Sequence, residues 1–116
     1  MLSREAILQA DDLPREAVAV PEWGGELYVR TLTGTERDRL EASLQGKKDR
    51  VDLENVRARF AVLTICDEQG TRLFTHADIS KLGKKSAAAL DRVFAVAQRL
   101  NGFSDSDARE VSAAGN

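Results

Sequence analysis

The stretch Ala17-Val-Ala-Val-Pro-Glu-Trp-Gly-Gly-Glu-Leu-Tyr-Val-Arg-Thr-Leu32 decides how the rest of the chain must be arranged. Residues 17–20 are β-prone, residues 21–25 carry a Pro and Gly turn signal, and residues 26–32 alternate. In the alternating run Leu27, Val29 and Thr31 share one face, and Tyr28, Arg30 and Leu32 the other. The reading is a β-hairpin with its loop at Gly24-Gly25. Two strands alone are marginal in water, so one face must pack on helices or on another subunit.

The helices follow downstream. Thr33-Gly-Thr-Glu36 has the spacing of a capping box, opening a helix to about residue 44 that ends near Gly46. A charged loop with Lys47, Lys48 and Arg50 comes next. Asp52 is positioned to cap a helix expected to run to about Cys66. Leu53, Val56, Phe60 and Leu63 form one apolar stripe on it, and Ala58, Ala61, Val62 and Ile65 a second beside the first. A helix resting on one neighbour needs a stripe of about 100°. The C-terminal half here is apolar over more than that, so it must be buried on more than one side, in the domain centre or at a contact between copies. Residues 67–70 read as a turn and residues 71–74 as a short extended piece. Thr75 to Asp78 repeats the capping spacing and opens a short helix through Leu82, which Gly83 ends. Ser86 caps a long last helix in which Leu90, Val93, Phe94, Ala97 and Leu100 recur three and four apart. Asn101-Gly102 stops it, and Phe103 is placed to fold back on its last turn. At the other end, Ser3 caps a short helix over residues 3–9, with Ile7 and Leu8 as its apolar face and Asp11, Asp12 and Pro14 stopping it. The expected fold class is α+β, mainly α: an N-terminal β-hairpin packed on a small bundle of three to four helices. The expected organisation is a single domain over residues 1–104, then a polar, flexible C-terminal tail over residues 105–116.

Charge and composition narrow the function. Seventeen basic residues face nineteen acidic ones, so the basic excess that neutralises phosphates is missing and no nucleic-acid partner is expected. No stretch approaches the ~20 apolar residues of a membrane span, so no membrane partner is expected either. The N-terminus lacks the apolar run of a secretory signal, and the one cysteine, Cys66, fits a reducing compartment; the expected location is the cytoplasm. Cys66 ends an apolar run and reads as a small buried hydrophobe. His76 is the lone histidine and reads as an exposed first-turn residue. Gly83-Lys-Lys-Ser86 has the ending of a phosphate loop without its earlier glycine or leading strand. The carboxylates fall on polar helix faces, caps and turns, and Arg57 and Arg59 read as polar-face residues too. The chain is therefore expected to be no enzyme, with no catalytic, cofactor-binding or metal-binding residues.

What remains is surface for other proteins. Trp23 beside two glycines reads equally as an exposed interface residue and as a cover over the core, and Tyr28 has the same ambiguity. The expected protein-binding residues are Trp23, Tyr28, Val56, Phe60, Val62 and Ile65.

Three strings carry a resemblance to a known family. Val20-Pro-Glu-Trp-Gly-Gly-Glu-Leu-Tyr-Val-Arg-Thr-Leu-Thr-Gly-Thr-Glu-Arg37 resembles the opening of tail assembly chaperones from long-tailed, lambda-like phages and prophages. Asp67-Glu-Gln-Gly-Thr-Arg-Leu-Phe74 is similar to that family's central turn. Leu82-Gly-Lys-Lys-Ser-Ala-Ala-Ala-Leu-Asp-Arg-Val-Phe94, continuing to Asn101, is similar to its last helix. The resemblance implies a chaperone that binds the tape measure protein, keeps it soluble, helps recruit the tail tube protein, forms a homo-oligomer and is absent from the finished virion. It also implies that a longer, frameshifted form can exist. The alternative is a small structural phage protein, a head–tail joining or tail-completion component; a DNA-binding regulator would need a basic recognition helix that no segment supplies.

Overall fold

The computed structural model describes residues 1–46 and 52–102; most of the charged loop, Phe103 and the polar tail lie outside them. Strands β1 (Arg15–Val20) and β2 (Gly25–Arg30) form the hairpin. They pair antiparallel, with Val18 opposite Leu27 and Arg15 opposite Arg30. Pro21 sets the first position of a 3-10 turn, Pro21–Trp23, and Gly24 closes it at φ 77°, a left-handed conformation that favours glycine. Before the hairpin, α1 (Arg4–Gln9) is capped by Ser3, whose hydroxyl accepts from the Ala6 amide.

Helix α2 (Gly34–Ser43) opens on the expected capping box, with Thr33 and Glu36 exchanging hydrogen bonds of 2.9 and 3.1 Å. Helix α3 (Val56–Thr64) is shorter than its sequence pattern predicts. It begins at Val56 because Asn55 takes a left-handed backbone, φ 58°, while Asp52 accepts from the Glu54 amide in a tight turn ahead of it. It stops at Thr64 because Ile65 turns extended, and Ile65–Cys66 becomes β3, pairing with Val29 and Tyr28 of β2. A β-branched residue at the end of a helix lowers the cost of that switch. The sheet is thus three-stranded, in the order β1-β2-β3.

A 3-10 turn, His76–Asp78, leads into the short α4 (Ile79–Leu82), and α5 (Ala87–Leu100) follows its Ser86 cap. Gly83 ends α4 with an ordinary helical backbone rather than a left-handed one. Its lack of a side chain serves a close approach instead: a Cβ there would lie 2.4 Å from the Asn55 side-chain oxygen. Among the described residues the fold is five helices and a three-stranded antiparallel sheet, the expected α+β, mainly α class.

The core lies between the inner face of the hairpin, carrying Val18, Val20 and Val29, and helices α3 and α5. The broad apolar surface of α3 is used on several sides at once, with Val56, Ala58, Phe60, Ala61 and Val62 all buried. Phe60 and Phe94 meet edge to face, centroids 5.2 Å apart. Such a pair adds about 0.5–1.5 kcal/mol beyond the area it buries. Phe94→Ala is therefore expected to cost about 3–5 kcal/mol of stability, read as a lowered midpoint in urea unfolding; an unchanged midpoint would refute the placement of this ring.

Candidate protein-binding surface

Trp23 is half-buried, neither free nor fully covered. Its turn is fixed from below by Glu22, whose carboxylate accepts from Arg92 of α5 at 2.9 and 3.1 Å. That hydrogen bond holds the Glu22 carboxyl below the usual range. Trp23 then packs against the core on one side and lines an open groove with Phe74 and Leu82 on the other. Lys81, Lys85 and Asp78 rim this groove, whose volume is about 370 Å³.

A second groove, of about 340 Å³, lies where α2, α3 and α4 converge. Leu40, Val62, Leu63 and Ile79 give it an apolar floor, and Arg39, Arg72 and His76 a basic margin. Arg39 and His76 are exposed. Arg59 also lines it, and here the structure corrects the sequence. Arg59 is 8% exposed rather than a polar-face residue. Its guanidinium donates to the backbone carbonyls of Ser43, Asp52 and Glu54, at 2.9 Å to Ser43 and 3.0 Å to Asp52. It thereby ties the end of α2 to the start of α3. Arg57, one turn-edge away, stays exposed and pairs with Asp91 of α5.

Behind the sheet sits a charged knot. Arg30 of β2 is buried and donates to Glu36 at 2.8 Å, and Arg72 reaches the same carboxylate at 3.4 Å. Burial by itself would raise the Glu36 pKa; the hydrogen bonds from Arg30 and Thr33 and the charges of Arg30 and Arg72 outweigh it, holding the carboxyl below its usual range. Arg72 also donates to the Val62 carbonyl, so the knot joins β2, α2 and α3. Cys66 is 1% exposed, and burial pushes its thiol up, as suits a packing residue. Among the described residues no group of three or more metal-ligating side chains converges.

The six residues singled out from sequence separate into two sets. Trp23 and Tyr28 keep partial exposure. Val56, Phe60, Val62 and Ile65 are at most 8% exposed, and of these Val62 lines the groove between α2, α3 and α4. The groove residues Phe74, Leu82, Lys81 and Lys85 were not anticipated; the run Lys81-Leu-Gly-Lys-Lys85, basic around one apolar residue, is the signal that marks them.

A family model described as phage tail assembly chaperone matches residues 3–114. No curated protein sequence matches the chain. Among solved structures, that of the bacteriophage HK97 tail assembly chaperone superposes with a TM-score of 0.63 at 16% identity, covering 87% of this chain and 95% of that one. At that identity the likeness establishes the fold.

The knot gives an acid-sensitive prediction. With its folded pKa lowered, Glu36 stabilises the fold fully above the unfolded value of about 4.3, and that contribution is lost as pH falls through the folded value. Glu36→Ala should cost about 3–5 kcal/mol near neutral pH, because Arg30 is left buried without its carboxylate. Chemical denaturation between neutral pH and pH 3 checks both: the gap between wild type and variant should narrow towards acid, and a gap independent of pH would contradict the assignment.

Proposed function

Since the chain belongs to the phage tail assembly chaperone family, we propose that it binds the tape measure protein, keeps it soluble in the host cytoplasm, helps recruit tail tube subunits and departs before the virion is finished. The observation that carries this reading is the groove between α2, α3 and α4. Its floor of Leu40, Val62, Leu63 and Ile79 suits the apolar face of a client helix, and Arg39 and His76 at its margin suit acidic residues flanking that face. Among the described residues no helix is long and apolar enough to cross a membrane, in keeping with a partner met in solution. A groove of this size gives modest affinity. Many copies along one long client compensate, because each neighbour raises the effective concentration of the next. Copies also contact one another, and the half-exposed Trp23 and Tyr28 are the proposed residues on that side, with Val56, Phe60, Val62 and Ile65 holding the binding faces in shape.

Co-expression with the tape measure protein tests the client reading. The wild-type chain should keep the client soluble and co-purify with it. Arg39→Glu combined with His76→Glu should leave the melting temperature unchanged and lower co-purification by about tenfold or more. Mass spectrometry of finished particles should find the chain absent. A client equally insoluble with and without the chain, or the chain retained in purified particles as a joining or completion component would be, would refute the proposal.

A further inference from the structure

The turn over residues 67–71 fixes the residue that follows it. The Asp67 amide donates to the Thr71 carbonyl at 2.9 Å, and the Asp67 carboxylate accepts from the Gln69 and Thr71 amides at 2.9 and 3.0 Å. Gly70 takes a left-handed backbone there, φ 84°. Arg72 then bridges to Cys66 of β3, and the Leu73 amide donates to the Ile65 carbonyl at 3.2 Å. The chain is bonded on both sides of Arg72, so its side chain leaves from a set point.

The guanidinium is held as well. Its Nε donates to the Val62 carbonyl at 3.1 Å and its Nη1 to Glu36 Oε2 at 3.4 Å. Nη2 has no hydrogen-bond partner among the described residues, and the side chain is 27% exposed where it lines the groove between α2, α3 and α4. Arg59 lines the same groove and differs: all three of its nitrogens donate to the chain's own oxygens. Arg72 is anchored by one edge and keeps donors in reserve on the other.

The charges point the same way. Arg30 and Arg72 share Glu36 Oε2, and Arg30 holds it closer, 2.8 Å against 3.4 Å. Among the described residues no other carboxylate pairs with either arginine, and the buried Arg30 Nε has no partner. Two cations against one anion leave the knot with one positive charge in excess. Arg39, Arg59 and His76 also line the groove, and among the described residues no carboxylate does. A carboxylate would balance that excess and accept charge-assisted hydrogen bonds, roughly twice as strong as neutral ones. An amide would leave the excess in place, and a lysine would add to it.

We infer that Arg72 is the carboxylate receptor of this groove: an Asp or Glu side chain of the client helix binds its outer guanidinium edge while the helix's apolar face covers Leu40, Val62, Leu63 and Ile79. This rests on the reading of the groove as the client site, and it names the residue type that the client must present there. Apolar contact alone would accept any amphipathic helix; the receptor selects those with an acidic residue beside the apolar stripe.

Overlapping peptides of about 20 residues from the tape measure protein, each about 30 Å long as a helix, are titrated against the full chain. At least one should bind, and exchanging one of its carboxylates for the amide, Glu for Gln or Asp for Asn, should weaken it about tenfold or more. Arg72→Gln should weaken the same peptide by a similar factor, and the two changes together should cost little beyond either alone, as for a direct pair. The peptide exchange leaves the chain's own fold untouched, so the coupling is readable even where Arg72→Gln lowers the melting temperature. Binding indifferent to every amide exchange, an exchange whose effect is undiminished in Arg72→Gln, or no peptide bound at all would each overturn the inference. If the co-expressed client is still kept soluble in those cases, the proposed function survives and only the role of Arg72 falls.

Discussion

The mutual burial of the hairpin's inner face and helix α3 is the constraint on which the rest depends. Val18, Val20 and Val29 cannot remain in water, and two strands cannot hold themselves together there. Helix α3 is apolar over too wide an arc to be satisfied by the sheet alone, so α5 closes it from another side through Phe60 and Phe94. The third strand follows from the same need. By turning extended at Ile65, the chain keeps Ile65 and Cys66 fully buried while their backbone finds partners on β2.

A core this small leaves the segments between elements thinly held by apolar contact, and buried polar groups take over that task. Arg59 spends its guanidinium on three backbone carbonyls around the α2–α3 junction. Glu36 serves at once as helix cap and as counter-charge to Arg30 and Arg72. Each sits beside one of the elements that form the groove between α2, α3 and α4. Elements that form that groove are therefore held by directional bonds as well as by apolar packing.

Most of the fold was legible because its signals are local. The Thr33–Glu36 capping box, the Ser3 and Ser86 caps, the Pro21–Gly24 turn and the spacing of Leu90, Val93, Phe94 and Ala97 all act within one or two turns of chain. The misreadings share an opposite character. The end of α3 depends on β2, about 36 residues earlier in sequence, offering its edge to Ile65 and Cys66. Gly83 ends α4 as its sequence position indicates, but the close approach of Asn55 that requires a glycine there is set by the fold. Arg59 looked solvated because its partners are backbone carbonyls, which a sequence pattern does not display. The candidate surfaces were legible only in part for the same reason: Trp23 was conspicuous, but Phe74, Leu82 and Lys85 become its neighbours through the fold.

Asn101 closes the last turn of α5 and also fastens it elsewhere. Its side chain donates to the Ala97 carbonyl and accepts from the Leu32 amide, both at 2.7 Å, while its own carbonyl accepts from Arg37 at 3.2 Å. The helix terminus is thereby riveted to the corner between β2 and α2. Fraying of the last turn of α5 therefore breaks bonds to the β2–α2 corner as well as the helix's own. The end of α5 is thus tied to two other elements by the same residue that finishes the helix.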